Sequence, residues 1–155
     1  MSTKHSKKEH LEAAASHHEQ ASRYHRAASR HFEAGKDYAH AAHEAMMAHG
    51  HTLHAIDQAH DAGAHSAGTP PVPPASPGAT GSGADGANAA KLHATAAELH
   101  DQAAQHMRHA VKLFDQDRSA VAHDAQLALT LALRALSHGN EAAKLFIKLA
   151  SAEAS

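Results

Sequence analysis

HEQASRYHRAASRHF at residues 18–32 and HDQAAQHMRHAVKLF at residues 100–114 are one segment written twice. At an offset of 82, His18 lies over His100, Ala21 over Ala103, Arg26 over Arg108, Ala28 over Ala110 and Phe32 over Phe114. Two residues then drop out, and at an offset of 80 Ala42-His43-Glu44-Ala45 lies over Ala122-His123-Asp124-Ala125, followed by Met47 over Leu127, Leu53 over Leu133 and Ile56 over Leu136. A register that holds for about 40 residues with one small gap reads as a tandem duplication.

Each copy is Ala-rich, lacks internal Pro, and repeats apolar or His positions at three- and four-residue steps, the mark of amphipathic helix. The expected helices run roughly over 6–34, 37–65, 88–115 and 118–138, with helix continuing to about 152 beyond Gly139-Asn140, either straight or kinked there. Gly35 suits a helix C-terminus and Asp37 the next N-cap; Asn88 caps the third helix and Asp117 or Ser119 the fourth. Between the copies, residues 66–88 hold all five Pro and five of the nine Gly without apolar periodicity, so they read as a linker. The chain thus divides into a His-rich helical hairpin at 1–65, the linker, and a second hairpin with an apolar seam at 89–155. The predicted fold is all-α: two tandem helical hairpins forming a four-helix bundle, with either relative direction of the hairpins open.

The 155 residues carry 14 Lys+Arg and 16 Asp+Glu, a formal charge of −2 that disfavours a nucleic-acid binder at neutral pH. The absence of Cys excludes thiolate metal sites, disulfides and cysteine nucleophiles. No catalytic Ser/His/Asp pattern or phosphate loop is visible, which points away from an enzyme. Met1 to Glu12 is polar and basic, and the longest apolar run, Leu127 to Leu136, is far short of a membrane span, so a cytoplasmic protein is expected.

Histidine is the outlier, with 19 residues, 13 of them before Ser66. Placed at 100° steps, Leu11, Ala14, His18, Ala21, His25, Ala28 and Phe32 share the expected core face of the first helix, flanked by His10, His17, Tyr24 and His31. The second helix has two stripes. Tyr38, Ala42, Ala45, His49, Leu53, Ile56 and His60 are expected in the core; His40, His43, Met47, His51, His54, Asp61 and His65 form the other, with Met46 and Met47 expected to pack rather than ligate. Folding about Gly35-Lys36 makes facing residue numbers sum to about 71. His31 then meets His40, Tyr24 meets Met47, His17 meets His54 and His10 meets Asp61. Imidazoles at i and i+3 plus one from the neighbouring helix supply three nitrogen ligands for Zn, Ni or Cu. The expected ligands are His17, His31, His40, His43, His51 and His54, with His10 and Asp61 as an end site and Tyr24 donating from behind. His18, His25, His49 and His60 form a second, inward-facing set. In the second copy Leu99, Leu113, Leu127 and Leu131 replace His17, His31, Met47 and His51, so the hairpin does not need imidazoles to fold.

The expected function is therefore non-enzymatic binding or buffering of a divalent transition metal. Two alternatives belong to other classes. Protonation of 19 imidazoles near pH 6.5 would make the helices acid-responsive. A spare apolar stripe on the last helix, Leu127, Leu131, Leu145 and Leu149, would serve a homo-oligomer or a helical partner. The stretches HHEQASRYHRAASRHFEAGKDYAHAAHEA (17–45) and AHGHTLHA (48–55) resemble small, uncharacterised His-rich helical proteins of bacteria. The resemblance covers the first hairpin and implies no particular activity.

Overall fold

In the computed structural model, which describes residues 3–35, 37–62 and 85–154, four helices follow one another: α1 (Thr3–Ala34), α2 (Tyr38–Asp61), α3 (Asp85–Leu113) and α4 (Arg118–Ala154). His65 and residues 66–84 of the expected linker lie outside the described residues. No described helix is long and apolar enough to cross a membrane. Helix α1 packs on α2 and on α3, α4 packs on α3, and α2 and α4 meet over a smaller area. The first two helices and the last two form antiparallel hairpins, and α1 also runs antiparallel to α3.

Gly35 ends α1 with φ 75°, a left-handed conformation that glycine adopts without strain, and its N–H donates to Phe32 O at 3.2 Å. Asp37 occupies the N-cap of α2, but in the left-handed region (φ 59°, ψ 49°) and without a side-chain cap; its carbonyl instead accepts from His40 and Ala41 N–H. Asp117 caps α4 as expected, Oδ1 accepting from Ala120 N–H at 3.1 Å. Helix α3 starts three residues earlier than Asn88, which lies inside the helix instead of capping it. The early start has a steric reason. A Cβ on Gly86 would lie 3.2 Å from Tyr38 Oη and 3.3 Å from Phe32 O, so glycine lets the first turn of α3 press against the α1–α2 turn. Helix α4 runs unbroken through Gly139; the cost of one helical glycine, about 1 kcal/mol, is offset by Ala142 and Leu145, buried in the turns beyond it.

The repeat in the sequence is matched in the fold by a pseudo-two-fold relation between α1 and α3. The equivalent residues His18 and His100 touch each other across it, Nδ1 to Nδ1 at 3.0 Å. On one side Arg26 Nη2 donates to Asp101 Oδ2 at 2.5 Å. On the other, the equivalent Arg108 grips Glu19 through Nε and Nη2 at 3.0 and 2.6 Å. The core is less symmetric. Leu11 and Met107 belong to an apolar cluster at one end, with Phe114 and Val121. Their counterparts across the axis are His93 and His25, buried and paired at 2.9 Å. Phe32 stacks on His93 at 5.6 Å and leads into a second apolar cluster with Ala41, Ala89 and Leu145.

The α1 face is buried as its pattern predicts, but α2 is rotated by about a quarter turn from expectation. Its buried residues are Ala41, Ala48, Thr52, Ala55 and Ala59, the small-residue face between the two stripes, while His49, Leu53 and His60 are exposed. This places the His40–His51–His54 stripe beside α1 and the Ile56 stripe toward α4. Because that face carries little volume, a cavity of about 310 Å³ remains between α2 and α4, lined by His25, His49, His93, Phe32, Met46 and Phe146 among others. Met46 is 73% exposed and Met47 also lies at the surface, so neither fills the core. The spare stripe of α4 is mostly used within the chain: Leu145 is buried, Leu131 and Leu149 pack against core clusters, and Leu127 alone of the four is exposed. Helix α4 needs two apolar sides because it faces both α3 and α2.

The axis supplies a stability test. Replacing His93 alone by Leu leaves the His25 imidazole buried without its partner and should destabilise the protein by about 1–3 kcal/mol. Replacing both, His25→Met with His93→Leu, recreates the apolar pair of the opposite end and should recover that loss or exceed it. Urea denaturation of the two variants checks this coupling.

Candidate metal centre

Three layers of imidazoles run along the α1–α2 groove. At the turn end, His31 comes from the last turn of α1, and His40 and Glu44 from the first turns of α2. One ligand atom from each of these three lies within 4.8 Å of the other two, and this is the one such set found among the described residues. His31 Nδ1 is 2.5 Å from Glu44 Oε1, His40 Nε2 is 3.9 Å from Glu44 Oε2, and the two imidazole rings stack at 4.5 Å. Asp37 Oδ2 approaches His40 Nδ1 at 3.4 Å from outside. The facing of His31 and His40 follows the sum rule. The third member does not: it is Glu44, whereas His43 is exposed and stands outside the cluster.

In the middle layer His17 Nδ1 lies 2.9 Å from His51 Nδ1, and the His17 ring stacks on His54 at 5.2 Å. Tyr24 stacks on His51 at 5.6 Å, so it orders the ring by its face. Burial, then the neighbouring imidazoles, lowers the pKa of His17 and of His51, which favours the neutral rings; in their Nδ1–Nδ1 contact one ring donates and keeps a lone pair on Nε2, while the other spends its lone pair as the acceptor. At the far end His10 meets Gln58 Oε1 at 2.5 Å instead of Asp61, which is exposed. Packed helices present to each residue the neighbours one turn either side, and here the amide three positions earlier takes the contact.

The inward set differs from expectation. His18 and His25 are buried, but their partners are His100 and His93 of α3, while His49 and His60 are exposed. The protons in this core can be placed. Thr52 Oγ1 lies 2.8 Å from Ala48 O and 2.9 Å from His100 Nε2. Its single hydroxyl hydrogen goes to the carbonyl, so it accepts from His100 Nε2–H. A neutral His100 then accepts at Nδ1, and His18 donates from its own Nδ1. The signal for His100 was present in the repeat, which sets His18 over His100; nothing in the pattern singled out His93 or the carboxylate Glu44.

Desolvation dominates the titration of this core. It pushes His18 down to about 3 and His93 down to about 4, and holds His25 and His100 well below the ordinary imidazole value, with neighbouring imidazoles adding to the effect at His18, His25 and His100. No family model, curated protein or solved structure matches the chain.

These depressed values set the sign of acid sensitivity. Each buried imidazole binds its proton more readily in the unfolded chain, so its contribution to stability is fully present above about pH 6.5 and falls by about 1.4 kcal/mol per pH unit below it, down to the folded value. Helicity followed by circular dichroism should therefore collapse steeply between pH 6.5 and 4. The His25→Met, His93→Leu protein should unfold at lower pH and less steeply; an unchanged acid transition would remove these rings from the account.

Proposed function

We propose that the protein binds or buffers a divalent transition-metal ion, Zn, Ni or Cu, at His31, His40 and Glu44. The observation that carries this is the convergence of two imidazoles and a carboxylate from two different helices within 4.8 Å. Two nitrogens and one oxygen suit an ion of borderline softness, with water completing the shell. His17, His51 and His54 offer a second stop along the same groove, poorer in charge because it lacks a carboxylate.

An ion at the turn would also act on the fold. Helix α2 docks through alanines and one threonine, so little apolar burial holds it. Coordination to His31 on α1 and to His40 and Glu44 on α2 ties the helices together, and the binding free energy adds to the docking of α2. Protons compete for the same lone pairs, so ion release and acid loosening share a direction. That makes an acid-responsive helical protein the second reading, favoured by the four buried neutral imidazoles.

Calorimetric titration with Zn decides the matter. His31→Ala and Glu44→Gln should each weaken binding at least tenfold, and His43→Ala should leave it unchanged. At 100 times the dissociation constant the ion should add about 2.7 kcal/mol of stability and slow amide exchange along α2. Binding that is indifferent to His31, His40 and Glu44 would overturn the reading.

A further inference from the structure

The position equivalent to Glu44 in the second hairpin is Asp124, and it too gathers imidazoles. Asp124 Oδ1 lies 3.1 Å from His106 Nδ1, and Oδ2 lies 2.5 Å from His109 Nδ1. The carboxylate side chain is only 8% exposed, whereas those of His106 and His109 are 36% and 58% exposed. We propose that His106 and His109 form a separate ion site on α3, with Asp124 of α4 as the positioning residue behind them.

The argument is one of protons. An ionised carboxylate only accepts, so each Nδ1 facing Asp124 carries its N–H. A neutral imidazole has one N–H, so both Nε2 atoms carry lone pairs. The two rings stand at i and i+3 on one face of α3, where Cβ atoms are about 5–6 Å apart. A buried carboxylate that takes the Nδ1–H and leaves Nε2 free is the arrangement that orients histidine ligands and raises their basicity in metal sites. The class of ligand is a divalent ion that accepts two imidazole nitrogens and keeps water elsewhere, for which Ni and Cu are suited.

The two hairpins use the carboxylate differently. Glu44 lies close to imidazoles from both α1 and α2 and belongs to the convergent set. Asp124 meets two imidazoles from a single helix and touches the ion only through them. An ion at His106 and His109 therefore binds without tying α3 to α4, and it need not change the docking of any helix. The site rests on its own contacts and stands or falls apart from the one at Glu44.

Nickel titration of a His31→Ala, Glu44→Gln, His17→Ala, His51→Ala protein, which lacks both stops along the α1–α2 groove, isolates it. One ion per chain should still bind, His106→Ala or His109→Ala should abolish that event, and Asp124→Asn should weaken it about 10–100-fold, with Asp124→Glu recovering part of the loss. Circular dichroism of each variant confirms folding. In nitrogen-15 NMR of the ion-free protein at neutral pH, both rings should show the Nδ1–H tautomer, and Asp124→Asn should release them. Nickel bound equally well after loss of both His106 and His109 would place the ion elsewhere and overturn the proposal. So would no binding at all in the isolated background. In that second case, saturable binding by the unaltered chain would still leave the Glu44 site standing.

Discussion

An imidazole removed from water must find a hydrogen-bond partner or cost the bundle one to three kilocalories per mole, roughly what a buried methyl-rich side chain contributes. This protein buries four of them at the contact between α1 and α3 and solves the problem pairwise, His18 with His100 and His25 with His93. Because each Nδ1–Nδ1 contact needs one donor and one acceptor, the accepting ring must be neutral, desolvation keeps the donor neutral as well, and the two must sit opposite each other in a single register. A slip of one residue along α1 would turn them away from α3. Apolar packing alone tolerates such slips in Ala-rich helices, since one methyl group resembles the next. The paired imidazoles, flanked by Arg26–Asp101 and Arg108–Glu19 at the rim, set the alignment that the alanines leave open.

The alignment of α1 with α3 leaves α2 as the least anchored helix. Its inward face is alanine and Thr52, the latter already engaged with Ala48 O and His100. Both larger stripes of α2 are pushed to its flanks, imidazoles toward α1 and Ile56 toward α4. The groove with α1 is closed by ring stacking and by the His31–Glu44 contact, while the side toward α4 keeps a cavity. A helix held by imidazoles on one side and poorly filled on the other depends on the hydrogen bonds and stacking of those imidazoles for its place in the bundle.

Much of this was legible in the residues. The internal repeat, the absence of Pro from each copy and Gly35 in the turn lead directly to two hairpins, and the sum rule for an antiparallel pair brings His31 to His40 and His17 to His54. The rotation of α2 was not legible, because hydrophobicity ranks Leu53 and Ile56 above Ala48 and Ala55 for burial. What decides the rotation is distance: small residues let α2 approach the bundle while larger ones ride at its edges. The partners of His18 and His25 depended on how the second hairpin meets the first, which a linker of 23 residues leaves free. Glu44 and Asp124 are illegible for a different reason: helical periodicity places a carboxylate on a face but does not say which imidazoles its side chain reaches.

The same residue type thus serves two incompatible ends, and burial separates them. In the α1–α3 contact, desolvation removes the charged form and both nitrogens of His100 are engaged, one with His18 and one with Thr52, so that ring has no lone pair to offer an ion. At the surface of each hairpin a carboxylate lies against imidazoles, Glu44 against His31 and Asp124 against His109, and these rings are more exposed than those of the core. The two kinds of site therefore differ in what they can exchange with solvent. The core holds neutral rings that specify register, and the flanks hold rings that solvent reaches.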